Sequence, residues 1–447
     1  MNDSASYSAD TPYARTDDAA SGWASPMVWL LIGYMWLFIH RPFEIWPWLA
    51  PFHIERVYMI VAIVFWLLSG PRMPVPNRLH LRFALFVAAM LVSWLLSPFQ
   101  DAGTTTIENY LKYAVFYVLL VTSVRSERDL RAIIAGYVVV MTILMLHSLR
   151  EYYCGRAWYA QGIVRLAPVG MTFDFNDFAG LIVCSLPFGW VLWHEWPSWT
   201  TRALLVGYLG LSGYCIIATG SRMGFLSFGL ACMLLCLASP QRWRLMAVCP
   251  ALLAVAWLLL PADRKDRYLT LVDPSRGPKS ATGSAGNFRY AGFESSLELF
   301  EERPLLGFGP MGYRVASGTG MMPHNLYGQV LAELGAAGAI AFALILWGVV
   351  QNTVKARRIA RDAIDRSATL PWRIAMAASA AFLLLAIMSW GFNFLFWFVW
   401  LWFGGFQIVA MECLSRQSEY ADMNEAIAER LQDVSFSAAD AAAVEAP

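Results

Sequence analysis

The chain has 447 residues, 58% of them hydrophobic and only 15% charged, with 20 Trp and 27 Phe: more apolar surface than a soluble core can hide. The formal net charge of +1 carries no signal for a nucleic-acid partner, and seven cysteines without a C-x-x-C or Cys/His cluster indicate neither a disulfide framework nor a metal site. Residues 1–25 hold four Asp and one Arg, unlike the basic start of a signal peptide, and read as a disordered cytoplasmic tail. A bilayer core of about 30 Å asks for about 20 apolar residues. About twelve candidate spans follow, near 26–40, 56–70, 81–97, 107–124, 130–148, 176–195, 202–219, 222–239, 243–260, 323–350, 372–390 and 392–412. They make residues 26–412 one polytopic all-α transmembrane domain. Residues 413–447 turn polar, then Ala- and acid-rich, which predicts a short surface helix and a second loose tail.

Basic residues collect in alternate connections: Arg72, Arg78 and Arg82; Arg125, Arg128 and Arg131; Arg202; Arg242 and Arg244; and Lys355 through Arg373. The positive-inside rule puts these connections and both termini in the cytoplasm, and the long connections 149–175 and 261–323 outside. In the second of these, "DRKDRYLTLVDPSRGPKSATGSAGN" is polar and rich in Gly, Ser and Pro, so a mobile loop is expected. The following "NFRYAGFESSLELFEERPLLGFGP" places Tyr290, Phe293, Leu297 and Phe300 at helical spacing until Pro304, which predicts a short amphipathic helix on the outer membrane face. Its "GFGP" is a turn, since no strand precedes it and the glycine spacing is wrong for a nucleotide loop.

Three ionisable groups far apart in sequence share that outer leaflet. Arg222 sits in "ATGSRMGF" between spans seven and eight, Arg289 starts the outward helix, and His324 opens span ten. Two guanidiniums at a membrane surface suit an anionic lipid head group, and a diphosphate best, because Arg offers paired donors matched to phosphate oxygens. The alternative is anchorage of a turn and a helix to lipid phosphates. A histidine suits proton transfer, and the positive end of a helix dipole favours its neutral, proton-accepting form; the plainer reading is an interfacial helix cap. Asp174, Asn176 and Asp177 in "TFDFNDFAG" begin span six, as caps or as partners of a cation. Glu333 lies about 13 Å inside span ten, either paired with Arg222 or as a protonated structural acid. Asn325, beside His324, is a supporting candidate. Lys112, four residues after Glu108, is a local ion-pair partner by default and a distant third candidate for phosphate.

"RYAGFESSLELFEERPLLGFGPMGY", followed by "PHNLYGQVLAELGAAG", resembles the signature region of the O-antigen ligase and O-antigen polymerase superfamily of bacterial envelope glycosyltransferases. "TFDFNDFAG" and "TGSRMGF" resemble its earlier landmarks, so the likeness covers roughly residues 165–350. The resemblance implies a lipid-dependent glycosyltransferase fold of GT-C-like type with about twelve helices in the bacterial inner membrane and a periplasmic active site. It implies a donor glycan on undecaprenyl diphosphate, transferred without cofactor or metal. Arg222 and Arg289 match the two arginines of the family that engage the donor diphosphate, and His324 its histidine proposed as base. The loop 261–323 is shorter than many ligases carry.

These expectations put first a ligase joining O-antigen to lipid A-core, then an O-antigen or exopolysaccharide polymerase, with a protein O-glycosylating relative as a third member. A transporter of the same lipid is the reading from another class. Transporters usually bind near the midplane within repeated halves, whereas the polar groups here gather on one face, Glu333 excepted.

Overall fold

The computed structural model describes residues 24–70, 73, 74, 76–160, 163–170, 174–239, 242–244, 258, 262–270, 272, 273, 285–361 and 369–444. The tail before residue 24, the stretch 274–284 and, apart from Trp243, Arg244 and Leu258, the ninth predicted span 243–260 lie outside the described residues.

The described chain is almost wholly helical: α1 Pro26–Ile39, α2 Pro42–Ile45, a 3-10 turn Pro47–Phe52, α3 Ile54–Leu68, α4 Arg78–Leu95, α5 Gln100–Ser123 and α6 Glu127–Tyr153. A hairpin of β1 Trp158–Ala160 and β2 Ile163–Arg165 follows, antiparallel, with Trp158 opposite Arg165. Then come α7 Phe175–Glu195, α8 Trp199–Thr219, α9 Arg222–Ala238, α10 Ala262–Leu269, α11 Ala285–Glu302, α12 Tyr313–Ala316, α13 Leu326–Arg361, α14 Leu370–Met388 and α15 Phe398–Val444.

Helix starts follow from side chains that satisfy orphan N–H groups. Asn77 accepts from Leu79 N–H, Ser126 from Asp129, Asp174 from Asn176 and Asp177, Ser198 from Thr201 and Ser221 from Gly224. Seven described helices are long and apolar enough to cross a membrane by length and composition: α4, α6, α7, α8, α13, α14 and Phe398–Asn424 of α15. Helix α9 is apolar but shorter, α1 and α3 have 14 and 15 residues, and α5 carries Glu108, Asn109 and Lys112. The protein is therefore a polytopic membrane protein of helical build.

The first part of α15 is the axis of the bundle. Trp400, Trp402, Phe403 and Phe406 are buried there, packed by α14, α5 and α13. Ion pairs brace one end: Arg125 with Glu412 at 2.9 Å, and Glu195 between Arg131 at 3.1 Å and Arg373 at 2.7 Å. All three arginines belong to the connections expected in the cytoplasm.

Two expectations change, and a third element gains detail. The polar stretch after Pro261 begins with the helix α10, because its arginines dock on the end of α8. Helix α11 packs on the bundle through Gly292, Ser296 and Leu299, which are buried, while Tyr290 and Leu297 are exposed. Small residues let backbones approach closely, and a Cβ on Gly292 would overlap the Pro323 carbonyl, one on Gly328 the Ser296 hydroxyl. The C-terminal tail is no separate short helix, since α15 runs on to Val444 through a Gly- and Pro-free sequence.

Helix α13 is interrupted at Gly335, whose φ of 62° and ψ of −160° leave the helical region. The segment after Pro304 fills the break. Phe308 N–H donates to Ala332 O at 2.9 Å and Gly309 N–H to Glu333 O at 2.8 Å, while Ala336 and Ala337 N–H donate to Pro304 O and Leu305 O at 2.8 and 3.1 Å. Ser93 Oγ, from α4, adds bonds to Leu306 O and Glu333 O. Backbone groups freed inside a membrane protein are thus met by another stretch of backbone.

An alanine at 335 would need a glycine-type conformation and would put its Cβ 2.5 Å from the Leu305 carbonyl carbon. Gly335→Ala is expected to destabilise the protein by about 1–3 kcal/mol or more, read as a lower melting midpoint in detergent. Gly229→Ala on α9, where a Cβ meets nothing within 4 Å, should leave the midpoint unchanged or raise it.

Candidate active site

The centre of the site is the turn between α8 and α9. Gly220 takes φ 61° and ends α8, Ser221 Oγ accepts from Gly224 N–H at 3.2 Å, and Arg222 becomes the first residue of α9. Its Nη1 donates to Thr270 Oγ1 at 3.0 Å. The last carbonyls of α8 and the turn each receive a guanidinium. Arg264 Nη1 donates to Ala218 O at 3.0 Å, Arg165 Nε to Thr219 O at 2.6 Å and Arg267 Nε to Gly220 O at 3.2 Å. Arg264 also reaches Tyr152 Oη at 3.0 Å and Val164 O. All three side chains are buried. The negative end of a helix dipole, with its unfilled carbonyl lone pairs, is where buried cations cost least.

Arg165 is clamped further, its Cζ 3.1 Å from the centre of the Phe175 ring and its Nη2 3.4 Å from Asn176 Oδ1. That leads to Asp174, whose Oδ1 accepts from the N–H groups of Asn176 at 2.7 Å and Asp177 at 2.9 Å, and whose Oδ2 accepts from Asn176 Nδ2 at 3.2 Å. The Asp174 charge reaches Arg165, Arg289 and His324.

Helix α11 brings Arg289, whose Cζ lies 3.1 Å from the place a Cβ on Gly391 would take. Burial first, and then the Arg222 charge, push the Arg289 guanidinium below its ordinary range, with Asp174 opposing. Burial pushes Arg267 down too, with Arg222, Arg264 and Arg289 adding to it. Guanidiniums remain protonated at neutral pH regardless, so Arg222, Arg267 and Arg289 form one mutually repelling group that an anion would relieve.

His324 stands at the mouth of α13 with φ 49°, a left-handed conformation costing about 1–3 kcal/mol outside glycine. Its Nδ1 is 3.2 Å from Asn393 Nδ2. The helix behind it is fixed by Leu326 N–H to Ser389 O at 2.8 Å and by Asn325 Oδ1, which accepts from Gly328 N–H at 3.1 Å. Burial pushes the imidazole below its ordinary 6.5, Asp174 opposes this, and Arg289 reinforces it. The ring is neutral at pH 7 and able to accept a proton.

The structure therefore brings together Arg222, Arg289, His324, Asp174, Asn176 and Asp177. It does not bring Lys112, whose charged neighbours are Glu55, Arg56, Glu108 and Arg41. Glu333 is not among the charges described as acting on Arg222. Its Oε2 accepts from Gln329 Nε2 at 3.0 Å, and its charged neighbour is Arg314, beside the Met311 and Tyr313 amides. Asn325, Gln329 and Glu333, spaced four apart, make a buried polar line along α13.

Sequence reasoning missed Arg165, Arg264, Arg267 and Asn393. The i, i+3 spacing of the arginines in "DRKDRY" and the single polar residue in "WGFNFLFWF" were the available signals.

A largely buried cationic group beside one histidine at one end of a helical membrane bundle is an arrangement suited to receive an anion. Residues 207–343 match the family model described as O-antigen ligase, and no curated protein matched the chain. Over that stretch, from α8 into α13, the chain is similar to the O-antigen ligase family, which supports the resemblance of the three motifs it includes and a function of the O-antigen ligase and polymerase type in general; "TFDFNDFAG" lies outside it. The match includes Arg222, Arg267, Arg289 and His324; Arg165, Asp174 and Asn393 lie outside it.

Asp174→Asn keeps an equally good capping side chain and removes the charge that favours imidazolium. The titration midpoint of His324, followed by NMR of labelled histidine with His324→Ala for assignment, is expected below 6.5 in the native protein and lower again in Asp174→Asn. A rise in the variant would show that Asp174 does not act on the ring.

Proposed function

We propose that this protein transfers a glycan from undecaprenyl diphosphate to an acceptor hydroxyl at the periplasmic face of the inner membrane, with lipid A-core as the acceptor. The observation that carries the reading is the convergence of Arg222, Arg289 and Arg267 on one another beside a neutral His324.

In the proposed step the acceptor oxygen attacks the anomeric carbon. Its proton passes to His324, the new C–O bond forms, and the bond from the anomeric carbon to the diphosphate oxygen breaks with its electron pair leaving on the diphosphate. One displacement inverts the anomeric centre. A diphosphate is a weak enough base to leave unprotonated, so the site needs no general acid on that side. It needs fixed positive charge where negative charge develops, which Arg222 and Arg289 supply in paired-donor geometry, with Arg267 behind them. The arginines perform the neutralisation that a divalent cation performs at other phosphate sites, so the proposal includes no metal.

The donor tail stays in the bilayer, so the diphosphate must approach from the side at the level of the outer head groups. The arginine group is assembled from the ends of α8, α9 and α11 and from the linked helix α10, which suits that depth. The periplasmic side follows from the charge pattern of the connections.

The test uses purified protein in proteoliposomes with undecaprenyl diphosphate-linked glycan, with and without lipid A-core. Product only with core is expected, abolished in His324→Ala and reduced about 100- to 1,000-fold in Arg222→Ala and Arg289→Ala. Lengthened lipid-linked glycan without core would make the protein a polymerase. Undiminished transfer by His324→Ala would overturn the base.

A further inference from the structure

Arg222 carries its charge at the end of a long side chain, and the neighbouring Arg267 and Arg289 repel it. We propose that Thr270 is a positioning residue for Arg222, its hydroxyl oxygen holding the guanidinium in place for the donor diphosphate without neutralising it. The inference rests on the reading of Arg222 as a contact of that diphosphate and deepens it.

Thr270 follows the last residue of α10 and is 4% exposed, so its hydroxyl works away from water. The hydroxyl donates to Arg267 O at 2.6 Å, meeting one of the carbonyls that a helix end leaves open. With the proton used in this way, the oxygen meets Arg222 Nη1 as an acceptor, at 3.0 Å. A guanidinium only donates, so the chemistry of the two groups settles the polarity of the contact.

The oxygen is held in place by the docking of α10. Arg264 Nη1 donates to Ala218 O, Arg267 Nε to Gly220 O, and Tyr268 Oη to Ile217 O at 3.3 Å. The Tyr268 ring also packs on Phe225, with 4.6 Å between centroids. Phe225 and Arg222 are three apart on α9 and share a face. Tyr268 and Thr270 therefore meet the first turn of α9 together.

Two properties of the hydroxyl suit the task. It is neutral, so Arg222 keeps its full charge for an incoming anion, whereas a carboxylate at 270 would cancel it. It also engages Nη1, and the Nε–Nη2 edge is the one whose parallel N–H bonds match two oxygens of a phosphate. Anchoring Nη1 sets the direction of that edge against the repulsion of Arg267 and Arg289. A misplacement of about 1 Å at such a site costs about 100-fold in rate.

The test uses the full-length protein in proteoliposomes and reads two quantities: donor kcat/KM with undecaprenyl diphosphate-linked glycan and lipid A-core, and affinity for undecaprenyl diphosphate alone. It compares wild type, Thr270→Val, Thr270→Ser, Arg222→Ala and the double variant Arg222→Ala with Thr270→Val, each checked for a native size-exclusion profile. Valine keeps the branched shape and removes the acceptor, while serine keeps the acceptor. Thr270→Val should lower kcat/KM about 10- to 100-fold and weaken undecaprenyl diphosphate binding, with Thr270→Ser close to wild type on both. Added to Arg222→Ala, Thr270→Val should change either quantity by no more than about twofold, since the partner it serves is already gone. A merely structural threonine would give the same loss with and without Arg222. That result, a Thr270→Val close to wild type, or a Thr270→Ser as impaired as Thr270→Val would overturn the proposal, while an impaired Arg222→Ala left the diphosphate reading standing. The affinity comparison needs no turnover, so it decides the matter whatever the acceptor is. Wild-type transfer and affinity in Arg222→Ala would remove the diphosphate reading itself.

Discussion

Everything at this site depends on one constraint: several guanidiniums cannot share a partly buried volume unless something negative meets them first. The chain provides it with backbone. The carbonyls of Ala218, Thr219 and Gly220 at the end of α8 take one arginine each, from three positions in sequence. Arg264 bonds on to Tyr152 and Val164 and Arg165 to Asn176, all neutral acceptors, so the group keeps its positive charge. Among the described residues, Asp174 supplies the formal negative charge that reaches Arg165, Arg289 and His324 alike. The balance among the described residues remains cationic, which suits an anion.

The same constraint explains why the turn is so short. Gly220 ends one helix in the left-handed region and Ser221 caps the next, so the negative end of α8 and the positive end of α9 lie within two residues. Arg222 is the first helical residue after that reversal. Its charge is therefore held at a fixed distance from carbonyls already neutralised by other arginines, and its attachment to Thr270 ties it to the segment that carries Arg264 and Arg267.

Much of this was legible in the sequence, and the failures are instructive. Helix ends were marked by Ser, Asp and Asn caps, and Arg222, Arg289 and His324 stood out as ionisable groups in apolar surroundings. Arg264 and Arg267 did not, because in a polar loop a basic residue is unremarkable until a helix end turns out to need it. The side of α11 that packs on the bundle was not read from the sequence, because its cue is two small residues, Gly292 and Ser296, which allow the close approach. The break at Gly335 was invisible to hydropathy, since alanines continue the apolar run on both sides and the groups that fill it come from Pro304 to Gly309. Asn393 could be noticed only as a polar residue in an aromatic stretch, and its partner lies 69 positions away.

The insertion at Gly335 also governs which changes of length the protein can accept. A loop usually tolerates additions because its backbone is met by water. Between Pro304 and Gly309 that freedom is absent, for the backbone there is matched group by group to the two edges of a broken helix, with Ser93 and Ser97 of the α4 end closing the far side. One residue more or fewer would slide the register and strand amides in an apolar surrounding. This stretch is in effect a splint, and any change of length in the connection would have to fall outside it.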